Sequence, residues 1–175
     1  MSKWFESIVD LEADRALVVR RRYGVIETRQ GKFVAIHFRP WPKLISIAEA
    51  RWFGGWKHQR GQKDQCQLYF NQPLAHSNFL TLSYIQSGWA TTLTTFRLAA
   101  MLLDSVAQIK RSDAIMCEVT NSRISDRLFR RWGWEPHLLD SKRRHWIKRF
   151  YGDYSKVADI TELQADLSTI ECSRQ

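Results

Sequence analysis

Along residues 16 to 39 the apolar positions come in short runs, ALVVR, GVIET and KFVAIHF, broken by Gly24 and by the pair Gln30-Gly31. Runs of this length, rich in β-branched residues and separated by turn formers, predict two or three antiparallel strands. Pro40 and Pro42 end the last of them. Ser46, with Glu49 three residues on, has capping-box spacing and predicts a short helix stopped by Gly54-Gly55. A polar loop covers 57 to 65, after which CQLYFN (66–71) and NFLTLSYIQ (78–86) read as two more strands separated by Gln72-Pro73. Past residue 92 the period lengthens. Leu93, Phe96, Ala100, Leu103 and Ala107 fall on one helical stripe, Ala99, Leu102, Val106 and Ile109 on the next, and Arg97, Asp104 and Gln108 mark a narrow polar side. So wide an apolar face predicts a long helix lying flat on a sheet. AIMCEV (114–119) is a short central strand, a second helix runs up to Gly133, and RRHWIKRFY (143–151) is the last strand. Residues 1 to 15 read as a helical or frayed start, and 153–175 as an acidic tail or short helix. The order predicts an α/β (α+β) fold with a mixed sheet, as a single domain over 1–152.

Composition narrows this picture. A chain of 175 residues, 44% apolar, buries one sizeable core. Cys66, Cys117 and Cys172 are odd in number and far apart, so neither a disulfide framework nor a metal-binding cysteine pair is expected, and the compartment expected is the reducing cytoplasm. The longest apolar run, LAAMLL, is too short for a bilayer. The net charge of +9 is unevenly spread: residues 20–60 hold ten Lys or Arg against two acids and residues 110–150 eleven against five, while both ends are acidic. A basic body favours anionic partners such as coenzyme phosphates, nucleic acid or an acidic protein; plain solvation is the competing reading.

The segment NSRISDRLFRRWGWEPH (121–137) carries the most specific signal. Ile124, Leu128, Phe129 and Trp132 share one side of its helix, and Arg123, Arg127, Arg130 and Arg131 the other. Ser122 or Ser125 can cap its start, and Gly133 can take the left-handed conformation that ends it. The strand CEVTN, this helix ending Leu128-Phe129-Arg130-Arg131-Trp132-Gly133-Trp134, and the closing strand resemble the C-terminal half of the GNAT superfamily of acyl-CoA-dependent N-acyltransferases. The resemblance covers residues 78 to about 151. It implies a GNAT-like mixed sheet with helices on both faces, and transfer of an acyl group from acetyl-CoA or another acyl-CoA to an amine on a small molecule or protein.

Two departures bear on that chemistry. The family cradles the coenzyme pyrophosphate with a glycine-rich turn at a helix N-terminus. Here the matching positions are Thr91, Thr94 and Phe96, and Gly88 lies earlier, in Gln86-Ser87-Gly88-Trp89-Ala90. Gln86, Gly88, the hydroxyls of Thr91, Thr92, Thr94 and Thr95, Asn121 and Arg127 are therefore the coenzyme-binding candidates that the resemblance implies, although the threonines equally suit a capping and packing role. The second departure is Phe129, which stands where many members place a tyrosine that protonates the departing thiolate; phenylalanine has no proton to give. An acceptor amine must lose a proton before it attacks, and Glu118 and Tyr84 are the candidates to assist, with His76 and His145 behind them. Glu118 equally suits an ion pair with a nearby arginine, and Tyr84 a core position with a hydrogen-bonded tip.

The alternative is a catalytically silent GNAT-like basic module. Arg20-Arg21-Arg22-Tyr23, the arginine face of 123–131 and Lys142 to Tyr151 interleave bases with aromatics, which suits nucleic acid or an acidic partner. A purely structural module is the third reading. On either binding reading Arg127→Glu with Arg131→Glu should leave the fold intact and weaken anion binding.

Overall fold

The computed structural model describes residues 6–42, 63–119, 125–138 and 143–154. Strand β1 (Glu6–Ile8) comes first and helix α1 (Arg15–Arg20) second. ALVVR, expected as strand, is therefore helical. Asp10 Oδ1 accepts hydrogen bonds from the N–H groups of Glu12 and Ala13 (2.9 and 3.0 Å), which turns the chain. Val18 then points into the core while Val19 stays outside.

Strands β2 (Tyr23–Arg29) and β3 (Lys32–Arg39) form the expected hairpin. Its two loop residues, Gln30 and Gly31, have φ of 50° and 68°, the left-handed pair that matches a type I′ turn to the twist of the strands. There follow β4 (Gln65–Asn71), β5 (Phe79–Ser87), α2 (Leu93–Ile109), β6 (Ala114–Val119), α3 (Asp126–Arg131), β7 (Glu135–His137) and β8 (Arg144–Arg149). The eight strands make one mixed sheet in the order β1-β3-β2-β4-β5-β6-β8-β7. Its parallel pair is β5 and β6, which requires a crossover, and α2 supplies it.

Register decides which side chains meet the helix. Ile26, Ile36, Leu68, Phe70, Leu80 and Ile115 are buried against Leu98, Leu102, Leu103 and Val106 of α2, each contributing about 1.5–3 kcal/mol by leaving water. Helix α1 packs on α2, and α3 lies on the same side, its Phe129 ring stacked on Trp146 of β8 at 5.0 Å. The helix expected after Ser46 and the acidic tail beyond 154 fall outside the described residues.

Asp104 corrects the helical wheel. Its carboxylate is buried, 4% exposed, and accepts from Lys148 Nζ of β8 at 2.6 Å, so the polar side of α2 is partly an internal ion pair. Cys66 and Cys117 are buried and unbridged, and burial pushes both thiols up to about 12, which leaves them protonated and inert. No helix among the described residues is long and apolar enough to cross a membrane.

Candidate functional site

Strands β5 and β6 pair from Phe79↔Ala114 to Leu82↔Cys117 and no further, although β5 runs on to Ser87 and β6 to Val119. They part there. At the same point the register between β4 and β5 shifts, with Tyr69 opposite Tyr84 and Phe70 opposite Leu82, so Ser83 is an extra residue bulging from β5. Its hydroxyl accepts from Asn71 Nδ2 at 2.6 Å. Bulges re-aim side chains and end pairing, and they are over-represented beside active sites.

Alternation along the two strands places Tyr84 and Glu118 on the same face, opposite the helices, one on each side of the opening. The structure thus brings these two candidates to one gap. The Tyr84 ring tilts against Tyr69 with centroids 5.8 Å apart. Glu118 is exposed, and both its oxygens lie 3.3 Å from Arg143 Nη1. His145 of β8 stands opposite Glu118 of β6 on one side and His137 of β7 on the other. His76 lies elsewhere, exposed and edge-on to Phe79.

On the helix side the gap is filled. Phe96 of α2 meets Trp132 at 5.2 Å, and Phe129 meets Trp134 edge-on at 5.6 Å. These rings, with Ile85 and Leu128, leave a cavity of about 20 Å³, room for roughly one water. Serine 125 caps α3 by accepting from Leu128 N–H at 3.3 Å, and Gly133 ends it at φ 78°. Arg127, Arg130 and Arg131 face solvent, as the wheel predicts, with Arg130 also lying over the Trp146 ring at 5.8 Å.

The N-terminus of α2 already holds an anion, the carboxylate of Asp64. Its Oδ1 accepts from Thr92 N–H at 2.7 Å and from Thr92 Oγ1 at 3.0 Å. Thr91 Oγ1 is within donating distance of the Gln65 and Gly88 carbonyls, and Gly88 N–H donates to Gln65 O at 2.7 Å. Thr95 is buried, and its Oγ1 accepts from Gly31 N–H at 2.8 Å. Thr94 is half-buried, and Gln86 stands opposite Gln67 on the side away from the described helices. Asn121 falls outside the described residues.

A second polar cluster escaped the sequence reading. On the face away from the helices, Glu27 is 8% exposed and accepts from Arg29 Nη2 at 3.0 Å and Gln65 Nε2 at 2.8 Å. His37 Nε2 lies 3.3 Å from Glu27 Oε2, and His37 Nδ1 lies 2.7 Å from Ser7 Oγ. Burial works to raise the Glu27 pKa, but the hydrogen bonds from Arg29, Gln65 and His37 outweigh it and hold the carboxyl below its ordinary value. Arg39, over the Tyr69 ring at 5.9 Å, has a buried Nη1 without a hydrogen-bond partner. The signal was present in the alternation of Val25, Glu27 and Arg29, of His37 and Arg39, and of Gln65, Gln67 and Tyr69. What it lacked was the pairing that sets these strands side by side.

No protein-family profile matches the chain, and no curated protein does. Among solved structures it is similar to nourseothricin acetyltransferase, at 12% identity and a TM-score of 0.39, over 84% of this chain and 99% of that one.

Proposed function

We propose that this chain transfers an acyl group from an acyl-CoA thioester to an amine, at the gap beyond the Leu82–Cys117 pair. The observation that carries this is the parting of β5 from β6 with Tyr84 and Glu118 on its two sides. Beyond Leu82 the main chain of β5 no longer pairs with β6, and an amide-rich pantetheine arm can lie against such an edge as a third strand would. Tyr84 and Glu118, directly or through water, relay the proton that the acceptor amine loses. Arg127 suits the coenzyme phosphates.

The rings in the gap weaken coenzyme binding without forbidding it. Swinging Trp132 off Phe96 forfeits an aromatic contact of about 1 kcal/mol and re-exposes part of a half-buried ring, roughly 1–2 kcal/mol more. A micromolar ligand supplies about 8 kcal/mol. The Asp64 carboxylate opposes a pyrophosphate at the α2 terminus and shifts the phosphates toward the arginines of α3.

Acetyl-CoA at a hundredfold excess over its Kd should stabilise the protein by about 2.7 kcal/mol, which raises Tm by roughly 5–10 °C for a chain of this size. Trp132→Ala should bind acetyl-CoA more tightly. Tyr84→Phe and Glu118→Gln should keep the stabilisation and lose roughly a hundredfold in the release of CoA thiol to an amine panel. Absence of any Tm shift in both the wild type and Trp132→Ala would end the acyltransfer reading.

The filled gap and the Asp64-capped helix favour a second reading, the catalytically silent basic module. It is distinguished by binding to single-stranded nucleic acid that weakens steeply with salt and is lost in Arg127→Glu with Arg131→Glu.

A further inference from the structure

Three groups on the face opposite the described helices stand in a row that the acyl-transfer reading does not use. Ser7 lies directly opposite His37 in the β1–β3 register. Glu27 reaches the same imidazole diagonally from β2, where Val25 is the residue opposite His37. The contacts are 2.7 Å from Ser7 Oγ to His37 Nδ1 and 3.3 Å from His37 Nε2 to Glu27 Oε2. We propose that Ser7, His37 and Glu27 form a second reactive centre, with Ser7 as an acyl-accepting nucleophile toward small activated carboxylic esters.

Chemistry fixes the roles. An ionised carboxylate only accepts hydrogen bonds, so the imidazole nitrogen facing Glu27 carries the proton and Nδ1 turns its lone pair to the Ser7 hydroxyl. Glu27 is held in place from two other sides, by Arg29 and Gln65, so the ring it orients is held too. A serine with a base in reach, and that base oriented by an acid, is the arrangement that activates a hydroxyl on unrelated folds. Strand β1 is the first strand of the sheet and pairs there only with β3. Among the described strands β1 has no neighbour on its outer side, so N–H groups on that edge could serve as oxyanion donors.

The step balances without a further reagent. Ser7 Oγ bonds to the ester carbonyl carbon while its proton passes to His37 Nδ1. The ester C–O bond breaks, and the alkoxide leaves with that proton. Water then gives a proton to His37 and its hydroxide to the acyl carbon; the Oγ–acyl bond breaks, the acid leaves, and His37 returns the proton to Ser7 Oγ.

This centre is separate from the gap. The row Ser7, His37, Val25, Tyr69, Tyr84 crosses five neighbouring strands, about 19 Å at the usual strand spacing, so the two sites fail or succeed independently.

The test is a fluorophosphonate probe and p-nitrophenyl acetate on the full chain. One phosphonyl adduct mapping to Ser7 is expected, with ester hydrolysis reduced at least tenfold in Ser7→Ala and in His37→Gln. Ser7 is exposed, so Ser7→Ala should keep the wild-type Tm. Glu27→Gln should slow labelling about tenfold, while Tyr84→Phe and Glu118→Gln leave it unchanged. An adduct that is absent, lies on another residue, or forms equally fast without His37 overturns the proposal.

Discussion

A methyl group on Gly24 would sit 2.7 Å from both Cε1 and Cζ of Phe70 and 3.4 Å from Phe38. Phe70 and Phe38 are among the most deeply buried rings of the core, so moving either ring disturbs the residues packed around it. Gly24→Ala is expected to cost about 1–3 kcal/mol by overpacking, measured as a lower urea midpoint at unchanged slope. Gly24 reads in the sequence as a turn former, yet it lies one residue into β2, opposite Phe38 and Phe70, and the ring on β4 explains the glycine there. Asp104 teaches the same lesson from the polar side. Helical spacing set it among outward positions, because the wheel knows one helix and not the strand that lies across it. Lys148, 44 residues on, is what makes an internal carboxylate tolerable. Glu27 likewise looked like one polar position in a strand until β3 and β4 put His37 and Gln65 beside it.

Helix α3 has six residues, too few to hold itself together, so its ends and its packing must do so. Ser125 at one end and Gly133 at the other were both readable as caps. Gly133→Ala should cost roughly 1 kcal/mol, since φ is 78° there, and Ser125→Ala about the same. Either substitution should raise amide exchange over 126–132 while leaving α2 protected. Elements with a strong period were legible: β2, β3, β4, β5, α2, β6 and β8 lie within a residue or two of where the pattern sets them. Weakly patterned ones were not. Strands β1 and β7 have three residues each, shorter than any alternation can declare, and β7 holds Pro136, tolerable because β7 is the other edge of the sheet. The run Leu17-Val18-Val19 suggested a strand through its branched side chains, yet its place against α2 and the Asp10 turn decided for helix. Of the candidate site, the aromatic motif and its neighbours were visible in the sequence. The closing of the gap by Phe96 and Trp132 was not, since it joins helices whose relative placement no local pattern encodes.

Lys110 ties distant parts of the molecule together at the end of α2. Its ammonium donates to the carbonyls of Val19 (3.3 Å) and Arg21 (2.7 Å) and to Gln72 Oε1 (2.9 Å). Burial, helped by the charge of Arg22, lowers its pKa from 10.5 to about 8. The unfolded chain therefore keeps this proton through a range in which the folded protein releases it, and between those two values stability rises with pH. Chemical denaturation of the wild type and Lys110→Met, compared from pH 7 to 10, should show their difference moving in favour of the wild type above pH 8.

A sheet stitched across its middle by only four residue pairs, Phe79↔Ala114 to Leu82↔Cys117, has a seam. Five strands lie on one side and three on the other, and each half hides a thiol, Cys66 on β4 and Cys117 on β6. Iodoacetamide at neutral pH can reach either sulfur only when its half comes open, so the two alkylation rates time the separation of the halves. The three-stranded wing should peel away first, with Cys117 modified well before Cys66; equal rates would mean that the sheet gives way as a single body.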